Sequence, residues 1–181
     1  DYKNDKQSRG DWEKSYTSGL DLLGFKYNDE SRPFSGASSV THPLLAEAVT
    51  QFQAQAYKEL LPAQGPVNTQ VLGDETVARA EQATRVKEFM NYMLTEVMEE
   101  YTTDFDQLLF YLPLAGSAFK KIYYDQVLDR AVAKFVPAED LVVPYYATDL
   151  KDCERITHVV KMSENEIIKK QRAGFYRDVR C

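Results

Sequence analysis

Two aspartates, Asp104 and Asp106, come closest to a chemical motif in this sequence. Carboxylates in a D-x-D arrangement supply the oxygen ligands that a divalent cation prefers. The same carboxylates also suit the first turn of a helix, where they interact favourably with the helix dipole. We favour the second interpretation, and we predict no metal site.

Residues that could act as nucleophiles or general bases are few and poorly placed. The chain has two histidines, of which His42 falls in the first turn of an expected helix and His158 in an expected strand. Cys153 has no neighbour along the chain that would activate its thiol. Ser117 lacks the second glycine of a nucleophile elbow, and no phosphate-binding glycine loop occurs. We therefore predict no catalytic residues, no cofactor and no enzymatic activity.

Acidic residues are concentrated in one segment of the chain. The 181 residues carry a formal charge of −6, and nine acidic and three basic residues between Asp74 and Asp106 account for all of it. A protein that grips DNA by neutralising phosphates is normally basic, which argues against a simple nucleic-acid binder. The segment is a solvated face, a surface that binds a basic partner, or a face directed towards a channel. The candidate residues of that surface are Glu88, Glu96, Glu99, Glu100, Asp104 and Asp106. The candidates for a basic contact are Lys120 and Lys121.

Apolar periodicity predicts helices through the first part of the chain. The expected helices cover residues 11–23, 41–60, 74–101 and 104–112, and Pro113 and Gly116 are expected to close the last of them. Thr41, Asp74 and Asp104 are the expected N-caps, and a Thr102–Thr103 pair is expected to bend the chain between the last two helices. The long third helix has an apolar stripe made of Val86, Met90, Met93, Leu94, Val97 and Tyr101. A stripe of this kind is what a packed helix needs.

After Gly116 the apolar residues alternate, which predicts strands. The expected strands cover residues 118–124, 130–136, 141–143 and 156–162, and the first two form a hairpin. Ser163 and Glu166 form a capping box for a last helix that ends at Gly174. Helices followed by strands predict an α+β fold with a small, mostly antiparallel sheet and a C-terminal helix. We expect a flexible N-terminus over residues 1–10, a helical part over 11–116 and a β-rich part over 117–181.

The order of these motifs resembles a known family. The stretch LPLAGSAFKKIYYD, from Leu112 to Asp125, is similar to the wing region of portal proteins from short-tailed phages. So is the run from Lys134 through Tyr176, with its Val-Pro-x-x-Asp-Leu exit from the hairpin and its His-x-x-x-Met-Ser entry into the last helix. Upstream, RGDWEKSYTSGLDLLG and SSVTHPLLAEAVTQFQAQAYKEL resemble the N-terminal helices of the family. The resemblance covers roughly Ser8 to Val179.

This resemblance implies a structural and conductive function. Portal proteins form a ring, typically of twelve copies, at one vertex of the capsid, through which double-stranded DNA is packaged and ejected without sequence specificity. They dock the large terminase subunit and the tail adaptors, contact the major capsid and scaffolding proteins, and have no catalytic residues. The location expected is the virion, and the host cytoplasm during assembly. Family chains are several times longer, so we expect an N-terminal wing region without stem, clip and crown.

A second class of function remains open from the residues alone. A small acidic α+β interaction module, or adaptor, would use the acidic helix to bind a basic partner. Replacing Glu96, Glu99 and Glu100 by Gln is expected to weaken such a complex and to leave the fold intact. No stretch of the sequence approaches 18 consecutive apolar residues, so we expect no membrane partner.

Overall fold

Helices make up most of the described chain, which comprises residues 1–24, 26, 34–37, 42–126 and 128–178 of a computed structural model. The helices in these residues are α1 (Tyr2–Ser8), α2 (Gly10–Leu23), α3 (Leu44–Leu60), α4 (Val77–Tyr92), α5 (Glu100–Ala115) and α6 (Glu164–Arg172), with a π-helical turn at Met93–Val97. The strands are β1 (Phe119–Asp125), β2 (Arg130–Val136), β3 (Leu141–Val142) and β4 (Thr157–His158). This arrangement confirms the predicted α+β class. None of the described helices is both long and apolar enough to cross a membrane.

The strands form two small antiparallel pairs where the sequence predicted one sheet. β1 and β2 make the expected hairpin, in which Phe119 pairs with Val136 and Asp125 with Arg130. Among the described residues β3 pairs with β4, which is much shorter than the expected strand over residues 156–162. The buried Pro144 follows β3 closely and has no N–H to donate, so the β3–β4 ladder ends after two residues.

The N-terminal residues 1–10, which the sequence predicted to be flexible, begin with helix α1. The carboxylate of Asp5 is buried and accepts hydrogen bonds at 3.1 and 3.3 Å from the guanidinium of Arg155. Arg9 follows α1 and donates to backbone carbonyls of the turn after β2. The sequence did not predict α1, because the partners that hold it are 129 to 150 residues away in sequence.

One cluster of core residues lies where α2 meets the end of α5 and the turn after β2. Its buried members Tyr16, Ala115 and Ala138 come from both the helical and the β-rich parts of the chain. Other buried apolar residues, among them Val49, Leu109 and Val132, lie on α3, α5 and β2. Trp12 stacks on Tyr16 with ring centroids 5.2 Å apart, and its indole N–H donates to the carbonyl of Ala115 at 2.9 Å. At Gly19 a Cβ atom would lie 2.9 Å from the Leu114 side chain, so this glycine allows α2 to approach α5 closely.

The long helix predicted from Asp74 to Tyr101 is interrupted, and its boundaries differ from the prediction. Thr76, rather than Asp74, caps α4 by accepting from the Arg79 N–H. The chain then passes through the π-helical turn and leaves helical geometry at Met98, which is buried. α5 begins before the Thr102–Thr103 pair, so the predicted bend and the Asp104 cap are both wrong.

The ends of the other helices match the sequence prediction only in part. Gly116 ends α5 in the left-handed conformation at φ 77°, and Pro113 lies inside the helix instead of closing it. Ser163 caps α6 by accepting from the Glu166 N–H, as predicted. Thr41, the predicted cap of α3, lies outside the described residues, and the residue that precedes α3 is Pro43.

Burial of Tyr16 predicts a loss of stability in alkali. Burial, with smaller contributions from the negative charge of Glu139, Tyr111 and Asp140, raises the pKa of the Tyr16 phenol to about 12. An unfolded tyrosine ionises near pH 10, so ionisation favours the unfolded chain as the pH rises from about 10 towards 12. We expect the thermal midpoint to fall more steeply over this range in the wild-type protein than in Tyr16→Phe. Calorimetry at several pH values tests this, with the exposed Tyr145→Phe as control, and parallel curves for all three proteins would contradict it.

Candidate functional site

The structure divides the predicted acidic surface into two groups. Glu88, Glu96 and Glu99 are exposed and form no ion pair with another described residue. The inner group contacts other elements of the fold and comprises Glu100, Asp104 and Asp106. Only the outer group is therefore placed to meet a partner directly.

Two inner carboxylates cover the free edge of the hairpin. Glu100 accepts from the backbone N–H of Ala133, and Asp104 accepts from the backbone N–H of Phe135 at 2.8 Å. These amides belong to β2 and point away from β1, so α5 supplies the acceptors that a third strand would otherwise provide. Glu100 also forms an ion pair with Arg130 at 2.9 Å. The hydrogen bond from Arg130 holds the pKa of Glu100 below its usual value, against the opposing effect of burial.

The third inner carboxylate, Asp106, faces α3. It accepts a hydrogen bond at 2.7 Å from the side-chain amide of Gln53. The pair lies at an open cleft of about 560 Å³ that is also lined by Thr50, Tyr57 and Thr102. Asp104 and Asp106 thus have separate partners on different elements, and the described residues contain no cluster of three or more His, Cys, Asp or Glu side chains placed to hold a metal ion.

The two predicted basic contacts differ in availability. The ammonium of Lys120 lies 3.6 Å from the ring centroid of Tyr101 and 4.8 Å from that of Phe105, and donates to the Tyr101 carbonyl. Burial lowers the pKa of Lys120, although the charges of Asp104 and Glu100 act in the opposite direction. Lys120 therefore ties β1 to α5. Lys121 is exposed and remains available to a partner.

Helix α4 carries an apolar surface that the described fold does not cover. Its inner side rests on residues 65–69, where the side-chain amide of Asn91 both accepts from and donates to the backbone of Val67. No residue of α4 is buried, and Val86 and Met90, from the predicted core stripe, are 46% and 42% exposed. Phe89, which the periodicity did not single out, is 61% exposed. The second half of the predicted stripe is partly buried in the fold and comprises Met93, Leu94, Val97 and Tyr101. The first half, Val86 and Met90, lies on the surface.

Helix α6 is a second element with few contacts in the described fold. It does not take part in any extensive packing between described elements. Its C-terminal turn is basic, with Lys169, Lys170 and Arg172, and the following Phe175 is 71% exposed. Sequence reasoning identified α6 as a helix but not as a surface. The signal available for it was the combination of basic residues and adjacent aromatic residues at its end.

The functional residues named from the sequence therefore do not meet at one site. Three of the carboxylates and one of the lysines hold helices to the hairpin or to each other, and the others lie on open surfaces. The open surfaces have the character of contact areas, since they combine exposed apolar side chains with charge. No protein-family model matches this sequence, and a search of curated proteins finds no significantly similar relative.

Proposed function

We propose that this chain is the wing region of a phage portal protein, the head-to-tail connector that forms a ring at one capsid vertex. The observation that carries the proposal is the apolar surface that the described fold leaves uncovered on α4, where Phe89 is 61% exposed and Val86 and Met90 are 46% and 42% exposed. Phe89 and Met90 follow Val86 by three and four positions, so the three side chains share one face of the helix. An exposed apolar patch of this kind marks a surface that a partner covers.

The distribution of apolar residues supports the same proposal. Large apolar side chains are exposed on several elements, including Phe89 on α4, Ile122 on β1 and Phe175 after α6. A structural component of a ring gains its stability from contacts with its neighbours, which accounts for the small core of the single chain.

The charge of the chain suits a conduit for DNA. Each phosphate that a protein neutralises adds to its affinity for DNA, so a basic channel would hold the duplex that has to slide through it. The exposed carboxylates of Glu88, Glu96 and Glu99 offer no such grip. In the proposed role the ring passes double-stranded DNA without reading its sequence, and it performs no catalysis and needs no cofactor.

The other partners follow from the proposed role. The ring would contact the major capsid and scaffolding proteins in the virion and during assembly in the host cytoplasm. The large terminase subunit and the tail adaptors would dock to regions beyond this chain. The ring would contain several copies, with twelve as the number that the resemblance implies.

Electron microscopy of the full-length gene product tests the proposal. We expect rings with a central hole, and a mass measured by light scattering that is about twelve times that of one chain. The gene is expected to lie beside a terminase gene. A product that stays monomeric at high concentration over a range of salt concentrations would contradict the proposal.

The alternative function is that of an acidic adaptor with a basic protein partner. The three exposed carboxylates of the outer group, which form no ion pair with another described residue, favour it. Because Glu100 is ion-paired to Arg130, its substitution would disturb the fold, so the informative variant is Glu88→Gln with Glu96→Gln and Glu99→Gln. A monomeric protein that captures a basic partner in low salt, and loses it in this variant, would favour the adaptor over the portal.

A further inference from the structure

Two uncovered surfaces of the chain carry opposite charge. The first, here named the α4 face, has the exposed apolar side chains Val86, Phe89, Met90 and Tyr92. Its acidic residues are Glu88 on α4, Glu96 in the π-helical turn and Glu99 just after that turn. The cations of α4 are Arg79, Arg85 and Lys87, and no further Lys or Arg follows until Lys120. The α4 face is thus apolar and, towards the π-helical turn, acidic.

The second surface, here named the α6 end, is apolar and basic. Its exposed apolar side chains are Ile168, Phe175 and Tyr176. Its basic residues are Lys169, Lys170, Arg172 and Arg177. Lys170 already contacts Glu166 at 3.4 Å and lies 5.7 Å from the ring centroid of Tyr176. Lys169, Arg172 and Arg177 are exposed and form no ion pair with another described residue, and the first two of these cations lie on the helix itself.

We propose that the α6 end of one copy of this chain docks on the α4 face of the next copy. The apolar side chains of the two surfaces would bury each other, and Lys169 and Arg172 would lie against the carboxylates of Glu96 and Glu99. The inference rests on the proposed function, because it names the surfaces through which the ring closes. Two different surfaces in contact make a head-to-tail interface, which is the kind that builds rings.

The charges favour this pairing over the two symmetric ones. An α4 face against a second α4 face would bring the carboxylates of Glu88, Glu96 and Glu99 towards their own copies. Two α6 ends would likewise oppose Lys169 and Arg172 to themselves. Like charges across an interface suppress the wrong partner, whereas opposite charges fix the register.

Charge reversal in the full-length protein tests the pairing. We expect Glu96→Lys with Glu99→Lys to weaken assembly by about tenfold or more in the concentration at half-assembly, measured by sedimentation velocity. Lys169→Glu with Arg172→Glu is expected to do the same. The protein that carries all four changes restores the opposite charges and is expected to regain most of the assembly. These residues are exposed, and circular dichroism of each variant checks that the fold is kept.

A cross-linking experiment gives an independent readout of the same contact. In a protein with Cys153→Ser and Cys181→Ser, cysteines are introduced by Phe89→Cys and Phe175→Cys. A head-to-tail contact produces a ladder of covalent oligomers under mild oxidation, whereas each single-cysteine variant gives at most dimers. The matched control pairs Phe175→Cys with Tyr145→Cys, which is equally exposed but lies outside the α4 face.

The possible outcomes separate this inference from the proposed function. The pairing is overturned, and the portal proposal left standing, if both charge-reversed variants form rings normally and the protein with Phe89→Cys and Phe175→Cys gives no ladder of covalent oligomers. Wild-type protein that never assembles would overturn both. Reversal at Lys169 and Arg172 that weakens DNA retention in intact rings, without weakening assembly, would assign the α6 end to DNA and also overturn the pairing.

Discussion

Replacing Arg9 by alanine is expected to lower the free energy of unfolding by about 3 kcal/mol. The guanidinium donates to the carbonyls of Ala138, Leu141 and Glu139 at 3.0, 2.9 and 2.7 Å, and also to the carboxylate of Glu13. Hydrogen bonds from a charged donor contribute about 1.5–3 kcal/mol each, and some of this is regained when water reaches the carbonyls. Since the turn after β2 contributes Ala138 to the core, its loss would also loosen the packing of α2.

Two variants make the Arg9 prediction specific. Arg9→Lys keeps the charge but not the planar fork, so we expect it to recover less than half of the lost stability. Arg85→Ala removes an exposed arginine from α4 and is expected to change stability by no more than about 0.5 kcal/mol. Urea unfolding followed by fluorescence measures all three, because the single tryptophan, Trp12, lies 5.2 Å from the Arg9 guanidinium carbon. Equal urea midpoints for wild type and Arg9→Ala would show that the hydrogen bonds of Arg9 contribute nothing to stability.

Features that depend on neighbouring residues could be predicted from the sequence. The capping box at Ser163, the end of α5 at Gly116 and the hairpin that follows each depend on residues close together in the sequence. The α+β class follows from their order. What the sequence could not supply were contacts between distant segments, such as the ion pair between Asp5 and Arg155, which are separated by 150 positions. The helix α1 that this pair anchors was missed for the same reason.

For the candidate site as well, the sequence predicted what depends on neighbouring residues and not what depends on distant ones. Sequence reasoning named the acidic residues correctly as one segment, but could not tell which of them face inward. The sequence predicts a helix cap at Asp104, whereas its carboxylate accepts a hydrogen bond from an amide 31 residues away on β2. The periodicity of α4 predicts a core stripe, because a pattern of apolar residues does not say whether the covering partner belongs to the same chain. Val86 and Met90 are the residues that show the difference.

Replacing Asp104 by alanine is expected to destabilise the protein by about 2 kcal/mol. Its carboxylate is the acceptor for the Phe135 N–H at 2.8 Å, and this amide belongs to the edge of the hairpin that α5 covers. Removing the acceptor leaves a half-buried donor without a partner, at a cost of about 1–3 kcal/mol. The same change uncovers part of a strand edge, so we also expect a greater tendency to aggregate.

The matched variant Asp104→Asn distinguishes this role from a functional one. Asparagine keeps an oxygen that can accept from Phe135 but carries no charge, so we expect a stability within about 0.5 kcal/mol of wild type. Hydrogen exchange of the Phe135 amide is the direct readout, and it should accelerate in Asp104→Ala but not in Asp104→Asn. If Asp104 instead served a cation or a basic partner, the two variants would lose that binding alike and neither would change the exchange rate. Equal protection of the Phe135 amide in all three proteins would therefore refute the structural assignment.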